Sequence, residues 1–244
     1  MNWSVAKIGT IYQKPAQAIG LSTPPIGCVL DLPGLPGAGN KIYDRSPYGN
    51  IGTITGAVWK RLPSGLWYLD FDGQDDYIDC GHDTSLDITE PITILIWVYP
   101  DNFDAYYAML AKGDAGAGSG TTYDLHIASS GIPYFFILTG AAGQSVASSS
   151  AILVKTWSQV AVTFNPSSNA VALYKNGAAN GTGTITSNPP SKPTENMYIG
   201  ARMASSVMAS HFPGDIALPR IYNRVLSALE IQNHYQQEKH LFGV

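Results

Sequence analysis

The pattern of apolar and polar positions from residue 28 onwards predicts a protein made of short β-strands. The clearest strand covers residues 92–99, where apolar side chains occupy both faces, so we expect both faces to be covered. Similar short runs alternate with turns rich in Gly, Pro and Asn. The other predicted strands cover residues 28–32, 67–71, 105–111, 123–128, 134–139, 157–164, 170–175, 197–200 and 216–222.

Local turn and cap signals connect these strands. Asn176-Gly177 predicts a tight hairpin, because both residues tolerate positive φ, and residues 165–169 predict a second turn. One helix is predicted over residues 226–237, where Ser227 and Glu230 have the spacing of a capping box. Many strands and one terminal helix favour an all-β fold, a two-sheet antiparallel jelly-roll sandwich with a short C-terminal helix.

Residues 1–27 have a different character from residues 28–244, which we predict to form the jelly-roll domain. The first segment mixes polar residues, Pro and Gly with isolated apolar side chains and has no clear periodicity. It is either a disordered leader or an N-terminal arm that folds against a partner. The arm would use Trp3, Ile8, Ile11 and Tyr12 and would make the protein a homo-oligomer or attach it to other surface proteins.

Composition excludes several classes of protein. Charged residues make up 13% of the 244 residues and the net charge is −4, which argues against disorder and against electrostatic nucleic-acid binding. No apolar stretch is long enough for a membrane span, and the first residues lack the apolar core of a secretion signal. We therefore expect either a protein used without classical export, which Met1 favours, or a chain from which a signal has been removed. Cys28 and Cys80 are either one disulfide or, as we prefer, two buried free thiols.

Several segments together resemble laminin-G-like domains of the concanavalin A-like lectin and glucanase jelly rolls. They are DRSPYGN at 44–50, LDFDGQDDYI at 69–78, WSQVAVTF at 157–164 and RIYNRVLSALEI at 220–231, in the order expected of that family. The resemblance covers about residues 28–235. It implies two packed antiparallel sheets, one of them concave. Members bind glycans or proteins, or are structural, so the fold does not settle the function.

The same resemblance implies a candidate Ca²⁺ site. Relatives hold a rim calcium with residues that correspond to Asp44 and Asn50, together with acids in the last strand, where this chain has Ala217 and Leu218. The alternative, which we favour, is that Asp44 and Asn50 only stabilise a turn.

Exposed aromatic rings are the candidates for glycan binding, because the C–H faces of sugars stack on flat rings. Neighbouring strand residues point to opposite faces, so the runs Tyr106-Tyr107 and Tyr134-Phe135-Phe136 each place at least one ring outside. The candidate residues are Tyr106, Tyr107, Tyr134 and Phe136. Catalysis is not expected. No Glu has a second carboxylate two residues away on a strand, as glucanases of this fold do, and the five His are scattered, so we expect each to be a surface or hydrogen-bonded residue.

These observations favour a non-catalytic structural or surface-recognition protein. The first hypothesis is a virion decoration, capsid-surface or fibre component of phage type with some glycan binding, located on a virion or another extracellular surface. It rests on a surface-type fold without an export signal. The alternative is a carbohydrate-binding lectin module of a secreted or larger protein, with a polysaccharide as its partner. A glycan-active hydrolase is the third and least favoured.

Overall fold

Two antiparallel sheets form a sandwich in the computed structural model, which describes residues 26–34, 39–116, 120–139 and 142–244. The smaller sheet has eight strands and the larger sheet has ten. The predicted jelly-roll sandwich is confirmed.

The strands are β1 (Cys28–Asp31), β2 (Lys41–Ile42), β3 (Gly52–Thr55), β4 (Val58–Arg61), β5 (Trp67–Asp72), β6 (Tyr77–Asp79), β7 (Ile92–Pro100), β8 (Tyr107–Asp114), β9 (Gly120–Ile127), β10 (Pro133–Thr139), β11 (Ala142–Ala147), β12 (Ser158–Asn165), β13 (Ala170–Lys175), β14 (Ala178–Thr184), β15 (Met197–Ile199), β16 (Arg202–Ala204), β17 (Val207–Ala209) and β18 (Pro213–Tyr222). A short 3₁₀ turn covers Thr84–Leu86 and the helix α1 covers Ala228–Phe242.

The smaller sheet has the strand order β14-β13-β12-β7-β18-β5-β4, with β1 also paired to β18. The main path of the larger sheet is β11-β10-β9-β8-β15-β6-β3-β2, and the hairpin β16–β17 lies beside β8.

Strand β7 lies at the centre of the smaller sheet and is apolar on both faces for two different reasons. Ile94, Ile96 and Val98 belong to the core between the sheets. Leu95 and Trp97 point to the opposite side, where helix α1 covers them. The prediction that both faces of this strand are covered is therefore confirmed, and the second cover is the helix.

Helix α1 begins where the sequence predicts and extends beyond the predicted end, to Phe242. The Ser227 hydroxyl accepts a hydrogen bond from the Glu230 amide, and the Glu230 carboxylate accepts one from the Ser227 amide, which completes the capping box. Phe242 stacks on Trp97 with ring centroids 4.0 Å apart. Apolar packing at both ends of the helix thus holds it against the smaller sheet.

The predicted turns are also confirmed. Asn176 and Gly177 both have positive φ and join β13 to β14 as a two-residue hairpin. Asn169 has a φ of 58° in the turn between β12 and β13. In contrast, the short strands β2, β3, β4, β6, β11, β14, β16 and β17 are absent from the prediction, since their sequences have neither a long apolar run nor a clear alternation.

The structure leaves some expectations open and answers others. The proposed arm, with Trp3, Ile8, Ile11 and Tyr12, lies outside the described residues, so assembly through it stays a prediction. Cys28 and Cys80 are free and buried, as we preferred, and burial raises the pKa of both thiols. Among the described residues no helix has the length and apolarity needed to cross a membrane.

Candidate functional site

The outer face of the larger sheet carries a groove whose shape follows from strand register. In one row across the sheet, His126 of β9 lies between Ala108 of β8 and Tyr134 of β10, and Tyr134 is followed by Ala147 of β11. The next row is Ala111, Asp124, Phe136 and Ser145. Large side chains in the middle strands and small ones on β11 leave an open groove of about 470 Å³. This volume is in the range of small-molecule sites.

Three aromatic side chains form the walls of the groove. Tyr134 and Phe136 alternate with the core residues Phe135 and Ile137, so β10 presents one apolar face to the core and one aromatic face to the groove. Tyr106 packs edge-on against Tyr134, with ring centroids 6.1 Å apart, and is 55% exposed. An exposed ring held by a second ring is a rigid apolar surface on which a ligand can stack.

A buried polar cluster lies beneath these rings. Asp124 and His126 are only 0% and 1% exposed, and Nδ1 of His126 lies 2.8 Å from Oδ1 of Asp124. This contact lacks hydrogen-bond geometry: within the described residues, neither carboxylate oxygen of Asp124 and neither ring nitrogen of His126 has a hydrogen-bond partner. Buried polar atoms are almost always paired, so a cluster of four unpaired atoms requires an explanation.

Arg202 joins the cluster from the hairpin β16–β17. One terminal nitrogen of its guanidinium lies 3.6 Å from Oδ2 of Asp124, which is too long for a hydrogen bond. Its Nε atom is buried and has no hydrogen-bond partner in the part of the chain that the structure describes. The side chain is 25% exposed and lines the groove. The groove floor therefore combines an imidazole with a partly accessible guanidinium.

The hairpin is fixed to β8 by Asp114. One carboxylate oxygen of Asp114 accepts hydrogen bonds from the amides of Gly116 and Ser205, and the other accepts one from the amide of Ser206. Ser205 and Ser206 both have positive φ, which costs energy for residues other than glycine. Burial acts to raise the pKa of Asp114, but these amide hydrogen bonds outweigh it and lower the pKa. Asp114 thus holds the turn that positions Arg202.

Tyr134 keeps its proton over the physiological range. Burial, followed by the nearby carboxylate of Asp124, raises its pKa to about 12. The phenol is therefore neutral and can donate or accept a hydrogen bond at the groove wall.

The structure brings three of the four predicted glycan-binding residues together in this groove: Tyr106, Tyr134 and Phe136. Tyr107 is placed elsewhere. Its ring packs against the core between the sheets and its hydroxyl donates a 2.7 Å hydrogen bond to Oδ1 of Asn102. Tyr106 lies just before β8, and Tyr107 is its first residue. The sequence did not fix the start of this strand, so it did not show which of the two rings faces the groove.

Sequence reasoning missed the polar floor. The expectation that every histidine is a surface or hydrogen-bonded residue is wrong for His126, which is buried and has no hydrogen bond. The available signal was the alternation Asp124-Leu125-His126 on a predicted strand, which places the two polar side chains on one face. No comparable signal points to Arg202, because its strand is three residues long.

Asp44 and Asn50, the candidate calcium ligands, take part in a network of hydrogen bonds within the chain. Oδ1 of Asp44 accepts bonds from the amides of Asp31 and Ser46, and Oδ2 accepts bonds from the Ser46 hydroxyl and the Asn50 amide. The side-chain nitrogen of Asn50 donates to Val29 and Ser85. These hydrogen bonds hold the connection between β2 and β3, and the binding of Ca²⁺ by Asp44 and Asn50 stays a prediction.

Other carboxylates form two clusters away from the groove. Asp72, Asp75 and Asp76 have carboxylate oxygens within 4.8 Å of one another at the turn after β5. The carboxylates of Asp72 and Asp76 accept hydrogen bonds from backbone amides, one of them that of Asp75. Asp70 and Asp215 lie opposite each other on β5 and β18. Asp70 also pairs with Lys60, and we assign neither cluster a ligand.

Comparison with known proteins places the chain in a family. A laminin G family model, described as the concanavalin A-like lectin/glucanases superfamily, matches residues 72–232. No curated protein matched the sequence.

Solved structures share the fold at low identity. The receptor-binding domain of botulinum neurotoxin type G has a TM-score of 0.61 at 15% identity, over 86% of this chain and 51% of that one. A mutant Trypanosoma rangeli sialidase with trans-sialidase activity has a TM-score of 0.69 at 16% identity, over 98% and 39%. The binding domain of botulinum neurotoxin DC, solved with SialylT, has a TM-score of 0.64 at 14% identity, over 86% and 51%. The chain thus spans about half or less of these structures, and the family match shows that it belongs to the concanavalin A-like lectin/glucanases superfamily.

Proposed function

We propose that this protein is a carbohydrate-binding module and that the groove on the larger sheet is its glycan site. The observation that carries the proposal is the combination of an aromatic wall with an unpaired polar floor. Tyr106, Tyr134 and Phe136 line the groove with aromatic rings for sugar C–H groups, while Arg202, whose side chain is 25% exposed, offers its guanidinium beside the buried and unpaired nitrogens of His126. Apolar walls with a few convergent polar groups are typical of ligand sites.

The comparisons support this choice without assigning a ligand. The botulinum neurotoxin DC binding domain was solved in complex with SialylT, and the Trypanosoma rangeli sialidase in complex with sialic acid. The binding domain of botulinum neurotoxin DC was also solved in complex with rat synaptotagmin II, which is a protein. The groove favours the glycan over a protein partner, because it is a concave site of about 470 Å³ lined by three aromatic rings and one guanidinium, whereas protein interfaces are broad surfaces.

We propose that binding is not followed by hydrolysis. Most glycosidases place two carboxyl groups on either side of the scissile bond. The described residues that line the groove include no Asp or Glu, and the nearby Asp124 is completely buried beneath them. Incubation of the protein with bound oligosaccharides and an assay for new reducing ends tests this part of the proposal. Release of reducing ends that persists at the same rate after purification to homogeneity would contradict it.

The glycan site is tested by calorimetric titration with a panel of neutral and acidic oligosaccharides. Tyr106→Ala is expected to weaken binding about tenfold, because a lost stacking contact costs about 1 kcal/mol. Tyr48→Ala is the matched control. Tyr48 is 49% exposed and lies between β2 and β3, at the opposite end of the same sheet.

Both variants remove an exposed ring, so their stabilities should change little. Equal affinity of the two variants for every bound sugar would contradict the site. An absence of binding across the panel would contradict the function.

A further inference from the structure

We infer that the ligand of the groove is an acidic sugar and that its carboxylate pairs with Arg202. The inference rests on the proposed glycan-binding function and specifies the class of sugar. Arg202 is the one residue with a permanent charge among the described residues that line the groove. A ligand bound in the groove would therefore lie next to the positive charge of Arg202.

The hydrogen bonds of the cluster are incomplete. Asp124 lies 2.8 Å from Nδ1 of His126 and 3.6 Å from a terminal nitrogen of Arg202, and among the described residues neither contact is a hydrogen bond. The guanidinium therefore keeps donors that the buried carboxylate does not satisfy, and a carboxylate supplied by the ligand can pair with it from the groove.

The accessibility of these groups gives the pairing a direction. Asp124 is wholly buried, whereas the side chain of Arg202 is 25% exposed to the groove. A ligand can reach the guanidinium and cannot reach the carboxylate behind it. The Nε atom of Arg202 is buried, so a ligand meets the exposed part of the guanidinium. A partly exposed guanidinium can bind a carboxylate through charge-assisted hydrogen bonds from its planar fork.

The aromatic wall fixes the rest of the ligand. Stacking on Tyr106 and Phe136 requires a flat, partly apolar face, which a pyranose ring has and a small inorganic anion lacks. A pyranose with a carboxylate, such as a uronic or sialic acid, satisfies both the wall and the floor. A neutral sugar would satisfy only the wall and would leave the guanidinium unpaired.

The test compares acidic oligosaccharides with their own carboxyl-reduced forms. Oligogalacturonide, hyaluronan oligosaccharide and sialyllactose are titrated before and after reduction of the carboxylate to an alcohol. At least one acidic member should bind about tenfold or more tightly than its reduced form, the size expected for a charge-assisted hydrogen-bonded pair. Arg202→Gln should abolish this preference, and Arg202→Lys should restore it only in part because an ammonium lacks the planar fork.

Lys60→Gln serves as the control for general electrostatics. It removes the same charge from an exposed pair with Asp70 on the other sheet and should leave the preference intact. Thermal unfolding of each variant shows whether the fold is kept. Equal binding of acidic and reduced forms, or a preference that survives Arg202→Gln, would overturn the inference. If neutral sugars still bound through Tyr106, the proposed function would remain; if no sugar bound, both would fall.

Discussion

The indole nitrogen of Trp97 donates a 2.7 Å hydrogen bond to Oε2 of Glu238, which joins the central strand of the smaller sheet to helix α1. The other carboxylate oxygen of Glu238 pairs with Arg220 of β18. Arg220 in turn pairs with Asp31 at 2.7 Å, and Asp31 also pairs with Arg45. The helix is therefore attached to the sheet by a buried charge network as well as by apolar contacts.

Removing one acid from this network should strongly destabilise the protein. Glu238→Gln removes one of the two acids that pair with the buried Arg220, and breaking a buried ion pair costs about 3 kcal/mol or more. The free energy of unfolding, measured in urea, should fall by that amount. Gln236→Ala is the control, because Gln236 is exposed and lies two residues before Glu238 on the same helix. Its free energy of unfolding should stay close to that of the parent protein. A similar loss in both variants would show that the network contributes little.

The ion pair between Glu238 and Arg220 predicts that the protein loses stability in acid. Burial, the largest single influence, disfavours the charge of Glu238, but Arg220, His234 and the Trp97 hydrogen bond together outweigh it and lower the pKa from 4.5 to about 2. A lowered folded-state pKa stabilises the fold above the unfolded value, and this contribution is lost as the pH falls from about 4.5 to about 2. Unfolding measured across this range should show a smaller slope in Glu238→Gln than in the parent protein. Identical slopes would exclude Glu238 as a source of the acid sensitivity.

Asp215 should make the protein more stable in acid than at neutral pH, which is the opposite of the effect of Glu238. Burial, and then the hydrogen bond and charge of Asp70, raise the pKa of Asp215 from 3.8 to about 7. The folded state then holds a proton that the unfolded state releases, so stability should fall as the pH rises from about 4 to about 7. Asp215→Asn should raise the midpoint of thermal unfolding at pH 8 and have a smaller effect at pH 4. Asp104→Asn, an exposed loop change, should show no such difference between the two pH values.

The capping box of α1 gives a smaller and local effect. Ser227→Ala removes the acceptor of the Glu230 amide hydrogen bond and should lower the free energy of unfolding by about 1 kcal/mol. Ser149→Ala, an exposed serine in the connection after β11, provides the matched control. Chemical denaturation distinguishes the two, and a change in Ser149→Ala as large as that in Ser227→Ala would remove the assignment to the cap.

The two adjacent tyrosines should separate binding from stability. Tyr107→Phe removes the hydrogen bond to Asn102 and should cost about 1 kcal/mol of stability without changing glycan affinity. Tyr106→Ala should do the reverse, because its ring is exposed in the groove. Calorimetric titration and denaturation of both variants give the four values needed. Weaker glycan binding by Tyr107→Phe would contradict the assignment of the glycan site to the groove that Tyr106 lines.

The sequence alone determined the features that depend on neighbouring residues. The capping residues Ser227 and Glu230 fixed the start of α1, and Asn176-Gly177 fixed a hairpin, because these signals act over a few residues. The period-two pattern of residues 134–139 placed Tyr134 and Phe136 on one face of a strand. The order of the strand motifs along the chain gave the family resemblance and with it the sandwich.

Only the tertiary structure decided how the groove is assembled. Asp124 and His126 come from one strand, Tyr134 and Phe136 from its neighbour, and Arg202 from a three-residue strand far along the chain. Their meeting depends on cross-strand register and on the hairpin that Asp114 holds, and a register shift of one residue would turn each strand's side chains to the other face. Local patterns carry no record of register between distant strands. The aromatic wall was therefore visible in part from the sequence, while the buried charges beneath it were not.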